Sequence, residues 1–165
     1  MKLNLREIIE VPGGSVPFEL ELDTERLFTD SIVAYPHAPR AEGRIFNEAG
    51  VLTLEGELTA EMVCVCDRCG EQFPSVKEMS LSATVVEEDD DNQDDPELFF
   101  LDGDSVEIDE IVTTLYILDM ETKFLCREEC KGLCPQCGKN LNAGPCSCRK
   151  QMDPRFAVLE QLLDK

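Results

Sequence analysis

From Leu52 onward the chain alternates. Leu54, Leu58, Ala60, Met62, Cys64 and Cys66 fall on one face, and Thr53, Glu55, Glu57, Thr59 and Glu61 fall on the other. That is the two-residue period of a half-buried strand. Gly56 breaks the apolar row and reads as a bulge. Upstream, Val16 to Leu22, Ser31 to Tyr35 and Gly43 to Phe46 read as further strands, the last leading through Asn47-Glu48-Ala49-Gly50 into the long one as a hairpin. Val76 to Val86 predicts another strand. The period then changes, because Ile111, Val112, Leu115, Tyr116 and Leu118 stand at helical spacing behind Asp109-Glu110, predicting one packed helix over about 109–119.

A second helix is expected at 151–165. Asp153 suits the N-cap, Pro154 suits the first helical position, and Phe156, Leu159, Leu162 and Leu163 then share a face that packs on the rest of the chain. The pattern as a whole predicts an α+β fold: an antiparallel β-sheet domain with one or two packed helices and a C-terminal Cys-rich module. With 165 residues, the chain fits one ordinary domain and a small appendage. Its expected divisions are an acidic, mainly β part over 1–122, a metal-binding module over 123–150 and the helix of 151–165.

Charge changes this picture by its distribution. The formal net charge is −20, which argues against coating nucleic acid with the whole surface, since phosphates demand clustered Lys and Arg. Up to residue 121 there are 7 basic and 30 acidic side chains, whereas beyond it there are 8 basic and 5 acidic. Within 87–97 eight of the eleven residues are acidic, a self-repelling block that reads as a solvated loop. The first residues carry charge where a signal peptide needs an apolar run, and no stretch approaches the ~20 apolar residues of a membrane span. A cytoplasmic protein is expected.

Nine cysteines in a reducing compartment point to metal ligation rather than disulfides, and an odd count cannot pair fully within the chain. Zinc suits closely spaced Cys pairs, although iron–sulfur clusters use the same thiolates. Cys134 and Cys137, two residues apart and followed by Gly138, form a tight turn that aims both sulfurs at one ion, and Cys146 with Cys148 closes the site. A second site is expected from Cys66, Cys69, Cys126 and Cys130, leaving Cys64 in the apolar row as a core residue. An alternative partition joins Cys126, Cys130, Cys134 and Cys137, but leaves Cys146 and Cys148 without a role. All-thiolate sites have no open position for water, so the metal reads as structural. The lone His37 lies between Pro36 and Pro39 and reads as a loop residue. No Ser/His/Asp set and no Gly-rich phosphate loop is present, so no enzymatic activity is expected.

Several strings taken in order carry a resemblance. They are Cys66-Asp67-Arg68-Cys69, the acidic lead Ile108-Asp109-Glu110-Ile111, Cys126 to Cys130, Gly132-Leu133-Cys134-Pro135-Gln136-Cys137-Gly138-Lys139-Asn140-Leu141-Asn142, and Asp153-Pro154-Arg155-Phe156-Ala157-Val158-Leu159. From about Cys64 to the C-terminus the chain resembles the YceD family, also called large ribosomal RNA subunit accumulation protein. The resemblance implies a non-catalytic bacterial cytosolic factor needed for normal accumulation of large-subunit ribosomal RNA. Some members lack the Cys134 to Cys148 module while keeping the arginine-containing Cys pair, and Gly70 stands where many carry Leu.

Two routes reconcile an acidic chain with an RNA. The acidic body could screen a basic ribosomal protein until it meets its RNA site. Alternatively Arg127, Lys131, Lys139, Arg149, Lys150 and Arg155 could contact large-subunit rRNA or its precursor directly, although no aromatic residues interleave with them to stack on bases. As ordinary solubilising charges they would do neither. A different class, a zinc-ribbon adaptor in another complex such as transcription, fits the same cysteines. No membrane and no small-molecule substrate is expected among the partners.

Overall fold

The computed structural model describes residues 1–86 and 98–148. The acidic block 87–97 and the helix expected over 151–165 lie outside the described residues, as do Arg149, Lys150 and Arg155.

The elements in chain order are β1 (Lys2–Asn4), α1 (Arg6–Ile9), β2 (Ser15–Glu21), β3 (Ile32–Ala34), β4 (Arg40–Glu48), β5 (Val51–Val65), β6 (Gln72–Val86), β7 (Leu98–Phe100), β8 (Ser105–Glu107) and α2 (Ile108–Leu118). One sheet has the order β2-β4-β5-β6-β7, with β3 pairing β5 beyond the end of β4, and β1 pairs β8 separately. All these pairs are antiparallel except β6 with β7, which run parallel. β7 is three residues long and carries no alternation to read.

The hairpin expected at Asn47–Gly50 forms. Its turn places Ala49 and Gly50 at φ 55° and 96°, the two positive values that a two-residue turn between twisted strands requires. Buried Asn47 fixes it: its side chain accepts from Gly50 N at 2.8 Å and donates to the carbonyls of Ile8 and Ile9 at 2.8 and 2.6 Å. Those carbonyls end α1, a helix too short to show a period.

Gly56 is not a bulge. Gly43, Gly56 and Leu81 stand opposite one another in unbroken register across β4, β5 and β6. The reason is close approach: a β-carbon on Gly43 would lie 2.2 Å from Glu55 O, and one on Gly56 would lie 2.4 Å from Glu42 O. Phe18, opposite Gly43 on β2, packs over the space the glycines leave.

The inner face of the sheet and α2 enclose the main core, to which α2 contributes Ile108, Ile111, Val112 and Tyr116, each at most 2% exposed. The helix starts one residue before the expected Asp109, which sits in its first turn, and its last residue, Leu118, is exposed rather than packed. Lys77 of β6 is buried and reaches the end of α2, donating to Asp119 O at 2.7 Å and pairing with the carboxylates of Asp119 and Glu121 at 2.8 and 3.0 Å. Burial opposes its charge, but the two acids outweigh that and hold its pKa above the ordinary value. A second, smaller core of Ile32, Met62, Cys64 and Phe124 lies toward the β5–β6 turn. No helix among the described residues is long and apolar enough to cross a membrane.

Candidate metal centres

The turn between the two longest strands itself carries two of the candidate ligands, Cys66 and Cys69. β5 ends at Val65 and β6 begins at Gln72, so Cys66 to Glu71 closes the hairpin, with Cys66 N donating to Glu71 O at 2.9 Å and Gly70 N to Cys66 O at 2.8 Å. Gly70 supplies the reversal at φ 72°. The same device recurs at the second pair: Cys134 N donates to Lys139 O at 2.9 Å, Gly138 N to Cys134 O at 2.9 Å, and Gly138 has φ 70°. A Cys-x-x-Cys-Gly string therefore gives one backbone loop twice.

Residues between the first pair of ligands fasten the segment that brings the other two. Asp67 N donates to Phe124 O at 2.9 Å, and the Asp67 carboxylate accepts from Phe124 N at 2.7 Å and from Ser31 Oγ at 2.8 Å. The Phe124 amide first, then Ser31, holds that carboxyl below its ordinary pKa. Arg68 donates to the carbonyls of Glu128 and Cys130 at 3.0 and 3.1 Å, while its own carbonyl accepts from Leu133 N at 3.1 Å. A β-carbon on Gly132 would come within 2.9 Å of that carbonyl, which is why the segment passes there as glycine, at φ 70°. Phe124 buries its ring in the small core, and Cys126 and Cys130 follow it to the β5–β6 turn.

The result is two clusters of four sulfurs, Cys66 with Cys69, Cys126 and Cys130, and Cys134 with Cys137, Cys146 and Cys148, each set lying within 4.8 Å of one another. All nine cysteines are free thiols. Four sulfurs about 2.3 Å from a tetrahedral ion stand roughly 3.8 Å apart. The Cys66–Cys130 and Cys69–Cys126 separations are 3.8 Å, and Cys134–Cys146 is 3.4 Å. Both clusters could hold a metal ion.

Within each cluster the thiols differ in how readily they ionise. Burial pushes the Cys66 thiol up, yet the amides of Cys126, Arg68 and Cys69 outweigh it and bring it down to about 6. Amides of Cys137 and Gln136 bring Cys134 to about 6 as well. The Glu71 amide favours a Cys69 thiolate, but burial and the sulfurs of Cys66, Cys130 and Cys126 push it up to about 12. Cys137 does the same to Cys148, also to about 12. Each pocket thus favours some thiolates over others, and a bound cation would allow the remaining thiols to ionise.

Residues 54–163 match the family described as large ribosomal RNA subunit accumulation protein YceD. The chain belongs to the YceD family. A protein of Bacillus subtilis (strain 168) named uncharacterized protein YlbN is 25% identical over 166 residues, covering 99% of this chain and 96% of that one. A maize (Zea mays) chloroplastic protein, named large ribosomal RNA subunit accumulation protein YCED homolog 1, is 26% identical over 152 residues, 73% of this chain and 52% of its own. An uncharacterized protein of Mycobacterium tuberculosis is 28% identical over 117 residues, covering 69% of this chain and 56% of that one. The chain therefore spans almost all of the Bacillus relative and about half of the other two. No solved structure matches it.

In this YceD chain Cys64 stands outside both clusters, fully buried against Ile32, Met62 and Phe124, and burial pushes its thiol up. Arg127, Lys131 and Lys139 are exposed around the clusters, with Lys139 Nζ donating to Pro145 O at 2.9 Å. His37 is exposed beside Glu61, its Nδ1 2.9 Å from Oε2. One residue to which the sequence pattern assigns no role of its own joins the clusters: Asn142 Nδ2 donates to Cys130 Sγ at 3.2 Å. Gly70 did carry a signal, since it repeats the position of Gly138.

Proposed function

We propose that this protein is a non-catalytic cytoplasmic factor for accumulation of large-subunit ribosomal RNA, and that it acts by holding a basic ribosomal protein on the outer face of its sheet. Zinc is the metal that fits its all-sulfur clusters, and such closed sites leave no position for a reacting water.

One observation carries the partner. Glu19, Glu42 and Glu57 stand directly opposite one another on three neighbouring strands, all pointing to solvent. Glu21 and Glu78 are exposed in the adjoining row, and an open depression beside them is lined by Pro17, Glu19, Glu42, Gly43, Gly56 and Glu57. Among the described residues, the only cations on this stretch are Arg40, paired with Glu19, and Arg44, 3.8 Å from Glu55. Like charges directly opposite across strands are destabilising. A row that the fold holds against its own repulsion suits a cationic protein surface, which neutralises it on binding.

Purified large-subunit ribosomal proteins should bind the full chain with an affinity that falls as salt rises, and the Glu42→Lys/Glu57→Lys double variant should lose that binding. Cells relying on the double variant should also show fewer large subunits on sedimentation. Binding to naked rRNA with no affinity for any ribosomal protein would overturn the proposal. That outcome belongs to a second reading, direct RNA contact through Arg127, Lys131 and Lys139, which their shared exposure at the cluster-bearing end favours.

A further inference from the structure

The two clusters are built as one unit through a strap of polar contacts. Asn142 sits in the loop between the two arms of the second cluster, on the 3-10 turn Leu141–Ala143 that Asn140 caps by accepting from Asn142 N at 2.9 Å. The loop lies along Lys131 to Leu133, the stretch that leads from the last cysteine of the first cluster into the first cysteine of the second. Lys131 N donates to Asn142 Oδ1 at 2.8 Å, Leu141 N donates to Gly132 O at 2.9 Å, and Leu133 bridges Asn140. The free end of Asn142 then points across the strap, and its Nδ2 donates to Cys130 Sγ at 3.2 Å.

We propose that occupancy of the second cluster sets how tightly the first holds its metal, through the hydrogen bond from Asn142 to Cys130. The second cluster ties down the far end of the loop that carries Asn142, because Cys146 and Cys148 there meet Cys134 and Cys137. A closed loop presents an N–H donor to the Cys130 thiolate, fixing its direction and absorbing part of its charge. Removing such a partner of a metal ligand lowers metal affinity 10- to 100-fold as a rule. Because the linkage is between two binding equilibria it is reciprocal, so metal in the first cluster tightens the second by the same factor. The inference rests on both clusters being metal sites.

The test uses the full chain loaded with zinc and a series of chelators of increasing strength, with alkylation mapped by mass spectrometry to show which cluster empties. Asn142→Asp keeps an oxygen that accepts from Lys131 N but replaces the donor facing Cys130 with a second carboxylate oxygen, so it preserves the strap while replacing the contact with sulfur by a repulsion. It should lower the affinity of the first cluster about 10- to 100-fold. Cys146→Ser, which disables the second cluster, should lower the first by a similar factor, and combining the two should add little. Asn142→Asp holding first-cluster metal within twofold of wild type would overturn the coupling, and so would Cys146→Ser holding it within twofold. A wild-type chain that takes up no metal would instead overturn the reading of the clusters, and the coupling with it.

Discussion

Stripping metal from the first cluster should open one end of the molecule and leave the other folded. The segment from Lys123 to Cys130 spans eight residues, and ordering them costs on the order of 8–16 kcal/mol of backbone entropy. Its largest apolar return is Phe124, whose burial contributes only about 1.5–3 kcal/mol. A bound metal would supply the deficit, and structural zinc, the ion proposed above, provides about 10–16 kcal/mol, enough to close it. By contrast the main core, from Leu5 through Tyr116, contains no cysteine of either cluster. Hydrogen exchange followed before and after a strong chelator should therefore separate two groups of amides. Cys66, Asp67 and Cys130, whose N–H groups bond to Glu71, Phe124 and Arg127, should lose protection. Amides of the β4–β5 ladder, such as those flanking Leu54 and Leu58, should keep theirs. Uniform loss across the sheet would refute the argument by making the metal a requirement for the whole fold. Unchanged exchange at Cys130 would refute it from the other side.

Gly43→Ala should destabilise the protein by about 1–3 kcal/mol in urea unfolding, because the atoms a β-carbon would meet, Glu55 O and Gly56 Cα, are backbone and cannot rotate away. An unchanged midpoint would show that the strands can separate there without loss. Glu42→Lys should do the opposite, turning two like-charge oppositions into attractions and adding roughly 0.2–1 kcal/mol for each while weakening the proposed ribosomal-protein contact. A variant less stable than wild type would mean that the glutamate row is not under repulsive strain.

Periodicity made the backbone of this fold legible where elements are long. The alternation from Leu52, the Asn47–Gly50 turn and the stripe on α2 each depend on neighbours a few residues away, so local pattern suffices. Gly56 shows the limit: a glycine within a strand marks either a bulge or a close approach, and only the partner strand, with Gly43 and Phe18 on it, decides between them. α1, β7 and the ion pair at Lys77 were illegible for a related reason, being too short for a period or defined by contacts distant in sequence. The cysteines behaved likewise. Their pairing on turns is written in Cys-x-x-Cys-Gly, but what brings Cys126 and Cys130 to the β5–β6 turn is Asp67 and Arg68 gripping backbone some sixty residues away, and nothing local announces the bond from Asn142 to Cys130.

The net charge of −20 misleads if it is applied to the molecule as a whole. β5 carries Glu57 in the acidic row and is followed at once by Cys66 at the metal end, nine residues further along. At about 3.3 Å per residue those positions are roughly 30 Å apart, several times the ~8 Å over which charge is felt at physiological salt. The row of Glu19, Glu42 and Glu57 therefore neither repels a phosphate arriving near Arg127, Lys131 and Lys139 nor disturbs the thiolates beside them. A partner meets two separated surfaces on one hairpin, the glutamate row and an end that exposes Arg127, Lys131 and Lys139. A ribosomal protein already engaged with its RNA presents both complementary signs, and a naked RNA presents only one. For that reason the protein–RNA complex should bind more tightly than the RNA alone, by a factor that Glu42→Lys removes and charge reversal at Lys131 does not.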